Sequence, residues 1–251
     1  MVPCRAACLA LLALPLLLGA EGRTPPSGPG TGSCSNAGCH ADLGSRAVVH
    51  AAFEPDGCAT CHEAKKGDGH GFRLTAASVA ALCVTCHDDP RKTGKFVHGP
   101  VRDECTRCHD PHSAPHPKLL VRVGNDLCLG CHDNLPKEME RPFTHGAVYD
   151  PGCEKCHVPH ASNAARLLRV PGNALCLECH GDGATAGPRI VLKDGRGHPV
   201  ARHPVEGFPD PRQPSVPLWC ASCHEPHGAV RKHLLRGPAG GWIICRQCHS
   251  K

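Results

Sequence analysis

Pairs of cysteines followed directly by a histidine recur along this chain of 251 residues. Eight segments have the form C-x-x-C-H, and a ninth, "CSNAGCH", has two extra residues between its cysteines. Two thiols at the regular spacing can form thioethers to the two vinyl groups of one porphyrin, and the adjacent imidazole can then bind the iron. We therefore interpret these segments as attachment sites for c-type haem.

Each motif is named below after its first cysteine, and its histidine is the predicted proximal ligand of the iron. In chain order, the predicted attachment residues are Cys34, Cys39, His40, Cys58, Cys61, His62, Cys83, Cys86, His87, Cys105, Cys108, His109, Cys128, Cys131, His132, Cys153, Cys156, His157, Cys176, Cys179, His180, Cys220, Cys223, His224, Cys245, Cys248 and His249. Eight or nine covalently bound haems are therefore expected.

Zinc sites, disulfides and thioredoxin-like redox pairs are three other uses of paired cysteines, and redox pairs do not occur nine to a chain. The segment "CEKCHVPH" could supply Cys153, Cys156, His157 and His160 to one tetrahedral zinc ion. Motifs such as "CVTCH" and "CLGCH", however, have no second histidine so close. A disulfide framework suits an exported protein but gives no reason for the histidine in every motif. Haem attachment accounts for all the motifs.

Three motifs carry a second histidine three residues after the first, in "CHDPH", "CHVPH" and "CHEPH". The two axial ligands of a haem iron lie on opposite faces of the macrocycle. His160 therefore cannot easily reach the iron that His157 binds. We expect the second histidine to bind the iron of a neighbouring haem and so to brace two haems against each other.

Histidine is the only axial ligand in sufficient supply, because Met139 is the one methionine beyond Met1. We expect bis-histidine ligation throughout, with His198 as an alternative to His203 and with His116 and His233 as spares. The predicted distal ligands are His50, His70, His98, His112, His145, His160, His203 and His227.

The motifs are arranged in pairs, which gives the chain an internal repeat. The stretch 96–132, "FVHGPVRDECTRCHDPHSAPHPKLLVRVGNDLCLGCH", is echoed in 143–180, "FTHGAVYDPGCEKCHVPHASNAARLLRVPGNALCLECH". We divide the chain into four units, numbered first to fourth, at about 45–92, 93–137, 138–182 and 196–251. Residues 34–251 are expected to form one multihaem domain.

From the upstream histidine to the closing "LCxxCH", residues 45–249 resemble the doubled C-x-x-C-H family of multihaem cytochromes c. The resemblance implies an electron carrier rather than an enzyme. Its implied partners are quinol-oxidising membrane cytochromes, other multihaem cytochromes or an outer-membrane porin conduit. The alternative is a multihaem reductase with one open iron, although enough histidines are present to close every iron.

The composition is unsuited to an ordinary hydrophobic core. The chain has 28 glycines and 25 prolines, and only 3% of its residues are aromatic. Such a sequence buries too little apolar surface to offset the entropy of ordering it. We predict a mostly irregular, elongated fold packed around haem, with short α-helices, the clearest at 75–87, and little or no β-sheet.

The N-terminal region is expected to direct export. Residues 1–20 contain a short apolar run behind Arg5 and are predicted to be a signal peptide, followed by a flexible linker at 21–33. The expected location is the periplasm, with outer-membrane association or secretion as alternatives. The formal charge of +5 does not indicate nucleic-acid binding, because haem propionates would offset it and no basic run with aromatics occurs.

Overall fold

The structure is a computed structural model that describes residues 40, 42–53, 57–66, 71–183, 189–237 and 243–249. The predicted signal peptide, the predicted linker, Cys34, Cys39 and His70 lie outside these residues. Within them, no helix has both the length and the apolar character needed to cross a membrane.

The helices are few and short, as predicted. The α-helices of the described residues are α1 (Cys58–Cys61), α2 (Val79–Cys83), α3 (Gly124–Leu129), α4 (Leu135–Met139), α5 (Asn173–His180), α6 (Cys220–Cys223) and α7 (Ile243–Arg246). The helix expected at 75–87 is only α2. It begins after Ser78, whose hydroxyl accepts a hydrogen bond from the Ala81 N–H, because a serine side chain favours a helix start over a helix interior.

Single 3₁₀ turns supply most of the remaining helical structure. They are Ala51–Phe53, Pro90–Lys92, Gly99–Arg102, Cys105–Arg107, Pro117–Leu119, Gly146–Val148, Cys153–Lys155, Ala165–Leu167 and Lys232–Leu234. Two of these turns begin at the first cysteine of a motif, and α1 and α6 begin at such a cysteine as well. The first motif of each unit therefore lies on a single turn of helix, which places its two thiols and its imidazole on one side of the chain.

The strands are short and pair two by two. They are β1 (Val48–Val49), β2 (His62–Ala64), β3 (Phe72–Leu74), β4 (Phe96–Val97), β5 (Ser113–Ala114), β6 (Phe143–Thr144), β7 (Ala161–Ser162), β8 (Pro209–Asp210), β9 (Gln213–Pro217) and β10 (Gly228–Ala229). The antiparallel pairs are β1–β5, β2–β3, β4–β7, β6–β10 and β8–β9. The first, third and fourth of these pairs each join one unit to the next.

The described residues bury almost no large apolar side chains. The buried ones are Ala80, Ala114, Ala161, Ala164, Leu218 and Ala229. Five alanines and one leucine remove little apolar area from water, whereas that area is the main favourable contribution to folding. The predicted class, mostly irregular with short helices and little sheet, is confirmed.

A segment at 181–217, which lengthens the step to the last unit, carries the β8–β9 hairpin. Asp210 is buried in it, and Arg212 donates a 3.0 Å hydrogen bond to its carboxylate. This bond holds the pKa of Asp210 well below its usual range. The Arg212 guanidinium also donates to the Gln247 side chain at 3.0 Å, so it ties the segment to the Cys245 motif.

Candidate functional site

One continuous cavity of about 4020 Å³ runs through the described residues. It is lined by both cysteines and the histidine of each of the eight regular motifs. A site for a single small ligand usually occupies about 300–1,000 Å³. The cavity therefore has room for several large groups, and it takes the place of the missing apolar core.

Each regular motif histidine faces a second histidine across this cavity. The ring centroids of all eight pairs are 6.0–6.2 Å apart. The pairs are His62 with His112, His87 with His50, His109 with His160, His132 with His98, His157 with His227, His180 with His145, His224 with His198, and His249 with His203.

This separation fits a metal ion held between two imidazoles. A histidine nitrogen binds a transition metal at about 2.0–2.1 Å, so two rings on opposite sides have centroids about 6 Å apart. Ordinary aromatic pairs span a wider range, about 4.5–7 Å, so it is the same separation at all eight motif histidines that favours a metal ion. The cysteines beside each pair, and the cavity between the rings, therefore fit an iron porphyrin attached at each regular motif.

The pairing follows one rule along the repeat. The first motif of a unit faces the second histidine of the next unit, as His109 faces His160. The second motif faces the upstream histidine of its own unit, as His132 faces His98. The last unit has no unit after it, and His198 from the 181–217 segment faces the Cys220 motif instead.

His198 is the residue that the sequence offers as an alternative to His203. In the structure each of the two candidates faces a motif histidine, since His198 faces His224 and His203 faces His249. The sequence offers one upstream position per unit and therefore suggested a choice between the two. In the other units the first motif faces a histidine of the next unit. The last unit has no unit after it, so the same pairing requires a second upstream histidine here.

Backbone carbonyls orient three of the motif histidines. Each carbonyl accepts a hydrogen bond of 2.6–2.9 Å from the ring Nδ1, and its residue has a positive φ of 59–60°. The pairs are His109 with Lys118, His157 with Arg166, and His224 with His233. Since a carbonyl can only accept, Nδ1 carries the proton and Nε2 keeps its lone pair for a metal.

Backbone hydrogen bonds also join the facing histidines of neighbouring units. The His98 N–H donates to the His160 carbonyl at 2.8 Å, and the His50 N–H donates to the His112 carbonyl at 2.9 Å. His98 additionally uses its ring Nδ1 to bond the Pro159 carbonyl at 3.0 Å. Two predicted ligands of two different irons are thus held at a fixed distance by β4–β7 and by β1–β5.

Burial keeps several of these rings in the form that binds metals. It lowers the pKa of His145, His157, His160 and His224 below the ordinary histidine value. A metal binds the neutral imidazole, because the protonated ring has no free lone pair. Binding to these rings therefore requires little or no loss of protons at neutral pH.

The cysteines of successive motifs lie next to each other. Burial, with the neighbouring Cys105 thiol, raises the pKa of Cys83 to about 11, and burial with the neighbouring Cys153 raises that of Cys128 to about 12. The Cys220 thiol likewise interacts with Cys176. Within the units, Cys61 also lies near Cys83, Cys108 near Cys131, Cys156 near Cys176 and Cys223 near Cys248, so the eight sites are adjacent in the order of the sequence.

The alternative uses of these cysteines find no support in the described ranges. No cysteine of these ranges forms a disulfide. Nor do three or more histidine, cysteine, aspartate or glutamate side chains converge there as the ligands of one metal ion would. A tetrahedral zinc site needs four such groups around one point.

Two asparagines that the sequence analysis did not single out connect the units. The Asn173 Oδ1 accepts from the Cys220 N–H at 2.8 Å, and its Nδ2 donates to the Val205 carbonyl at 2.8 Å. Asn125 accepts from the Cys153 N–H at 3.1 Å in the same way. Both asparagines follow the glycine of a repeated "GN" step, which is the signal that could have found them.

The structure describes only some of the remaining predicted residues. His40 is described, but Cys34, Cys39 and His70 lie outside the described residues. Of the two spare histidines, His233 contributes its carbonyl to His224, and His116 forms a β-bridge with Leu120.

Comparisons with known proteins support the cofactor that the geometry fits. The family model described as "Doubled CXXCH motif" matches residues 50–92, 98–137, 145–185 and 217–251. The chain is also 29% identical over 79 residues to the multiheme cytochrome MtrA of Shewanella baltica. That match covers 31% of this chain and only 24% of the relative. The four matched segments span most of the sequence, and the chain therefore belongs to the doubled CXXCH motif family of multihaem c-type cytochromes, which bind haem c covalently.

Proposed function

We propose that this protein is an electron carrier that passes electrons along about nine covalently bound bis-histidine haems. The pairing of eight motif histidines with eight facing histidines is the observation that carries this proposal. An iron with histidine on both faces has no position for a substrate, and it changes no ligand when it gains or loses one electron. Such a site is suited to electron transfer and not to catalysis at iron.

The haems supply the one-electron chemistry, and the polypeptide fixes where they lie. The cysteines would anchor each porphyrin, and the motif histidine and the facing histidine would hold its iron. Carbonyls such as that of Arg166 hold the ring of the motif histidine in one orientation. Two-residue strand pairs then set the distance between neighbouring sites, on which the rate of electron transfer depends.

The adjacency of successive motifs supports a route that follows the sequence. Cys83 lies beside Cys105, Cys128 beside Cys153, and Cys176 beside Cys220. Each of these contacts joins the second motif of one unit to the first motif of the next. Electrons would therefore enter at one end of the chain of motifs and leave at the other.

The family and the predicted signal peptide support a location and a class of partners. We place the protein outside the cytoplasm, in the periplasm, within a single haem-filled domain at 34–251. Its partners would be other redox proteins, such as quinol-oxidising membrane cytochromes, further multihaem cytochromes or a porin conduit. The similarity to multiheme cytochrome MtrA is compatible with these partners, although it covers a quarter of that relative.

Three measurements on the purified holoprotein test this function. Mass spectrometry should count about nine haems per chain. Carbon monoxide should leave the spectrum of the reduced protein essentially unchanged, and rapid mixing should show reversible reduction and reoxidation of all haems. Stoichiometric binding of carbon monoxide together with turnover of nitrite or a sulfur compound would instead favour the multihaem reductase.

A further inference from the structure

A ring nitrogen of one facing histidine lies within hydrogen-bonding distance of a carboxylate. The Nδ1 of His227 lies 3.0 Å from the Oε2 of Glu138, which is a hydrogen-bonding distance. His227 is the ring that faces His157 of the Cys153 motif.

Two of the upstream facing histidines bond to neutral carbonyl groups. His98 uses the Pro159 carbonyl at 3.0 Å, and His203 uses the Pro204 carbonyl at 2.9 Å. The Asp110 carboxylate is 3.7 Å from the His112 ring, which is too far for a hydrogen bond, and it pairs with Arg46. Glu138 thus distinguishes the Cys153 site from sites that are otherwise built alike.

The local fold holds Glu138 at this place. Glu138 belongs to α4, and a Cβ at Gly228, the residue after His227, would overlap the Glu138 carbonyl. Glycine at this position therefore allows α4 to approach the backbone beside His227. The Met139 carbonyl accepts hydrogen bonds from Thr144 at 2.7 Å and from Tyr149 at 2.9 Å, which fix the end of the helix.

A carboxylate that accepts the Nδ1 proton makes the imidazole a more basic metal ligand. A charge-assisted hydrogen bond of this kind is roughly twice as strong as a neutral one. A more basic ligand stabilises the more positive, oxidised iron, and second-shell hydrogen bonding is one of the protein's means of setting haem potential. The haem at the Cys153 motif should therefore be harder to reduce than it would be if a carbonyl accepted the His227 Nδ1 proton.

The geometry points to Glu138 as a residue that lowers the potential of one haem, the one attached at Cys153 and Cys156. The inference rests on the proposed electron-transfer function and adds a potential step to it. Four regular motifs precede this site and three follow it. This site therefore lies between two groups of sites, and an electron that passes from one group to the other crosses a haem whose potential Glu138 lowers.

The test is a spectroelectrochemical titration of the holoprotein and its variants. Glu138→Gln should move the midpoint potential of one haem to a more positive value and leave the others where they are. Glu138→Asp keeps the charge but withdraws the carboxylate, so it should move the same haem in the same direction. Glu140→Gln is the matched control, because Glu140 is exposed at the end of α4 and its loss changes the net charge equally.

The results separate three outcomes. Unchanged potentials in Glu138→Gln, at full haem content, would overturn the inference. A shift in Glu138→Gln but none in Glu138→Asp would also overturn it, since charge alone would then be responsible. If Glu138→Gln fails to incorporate all haems, Glu138→Asp decides, because it keeps the net charge and removes only the hydrogen bond. A positive shift of one midpoint then supports the inference, and unchanged midpoints overturn it.

The identity of the shifted haem and the status of the proposed function are tested separately. In a variant with Cys153 and Cys156 replaced by serine, Glu138→Gln should no longer move any midpoint. A shift that persists would assign Glu138 to another haem and overturn the inference. Failure of the electron-transfer proposal would show differently, as binding of carbon monoxide by the unmodified holoprotein.

Discussion

The ring of His160 faces the ring of His109, with their centroids 6.1 Å apart, although His160 follows His157 by only three residues. The short "CHVPH" spacing thus points one histidine toward its own motif's site and the next toward the site of the preceding unit. β4–β7 makes this possible, because Val97 pairs with Ala161, directly after His160. Two neighbouring sites are therefore connected by the three-residue spacing of the two histidines and by one pair of two-residue strands.

Replacing His160 with alanine should open the iron at the Cys105 motif. The reduced variant should then bind about one carbon monoxide per chain, measured by its visible spectrum. In a second variant that also has Cys105 and Cys108 replaced by serine, this binding should disappear with the haem. Binding that survives the second change would mean that His160 serves the Cys153 motif instead.

His198 and His203 should close two different irons. His198→Ala should expose the iron at the Cys220 motif, and His203→Ala should expose the one at the Cys245 motif, because each faces a different motif histidine. Electron paramagnetic resonance should show one high-spin iron in each single variant and two in the double variant. A single variant that remains entirely low-spin would refute the assignment for that histidine.

Replacing Asn173 with alanine should weaken the joint between the third and fourth units. Asn173 is buried, and its side chain bonds the Cys220 N–H and the Val205 carbonyl. Loss of these partners should lower the free energy of unfolding by about 1–3 kcal/mol. Denaturant titration of the holoprotein measures this loss, and Asn134→Ala, at an exposed position, should change it little.

The Asp210–Arg212 pair should make the 181–217 segment sensitive to acid. Because the pKa of Asp210 is lower in the fold than its ordinary value, the pair stabilises the protein above about pH 4 and this stabilisation is lost as the pH falls below that value. In an acid titration monitored by the low-spin iron signal, part of the acid-induced transition should occur at a different pH in Asp210→Asn than in the unmodified protein. Identical titration curves for the two proteins would show that the pair does not stabilise the segment.

The polypeptide without haem should be disordered. The described residues bury only five alanines and one leucine as apolar side chains, so the chain alone cannot offset its ordering entropy. Protein made without the signal peptide, in a cell compartment that lacks haem attachment, should give the circular dichroism of an unfolded chain. A cooperative thermal transition in this apoprotein would contradict the argument.

The sequence alone determined how haem is attached and that the chain has too few apolar residues for a hydrophobic core. The regular "CxxCH" spacing is a local property, so it predicts haem c without knowledge of the fold, and the 28 glycines and 25 prolines predict an irregular chain. The "CHxPH" spacing also implied that one segment serves two irons, because axial ligands lie on opposite faces. The helix predicted at 75–87 is longer than the observed helix α2, which begins after Ser78 and ends at Cys83.

Only the tertiary structure decided which histidine faces which motif. His98 and His160 meet through strands that are far apart in the sequence, and no local pattern specifies such a pairing. The same holds for the use of both His198 and His203, and for the carboxylate of Glu138 behind His227. These contacts are long-range, and they depend on how successive units pack together.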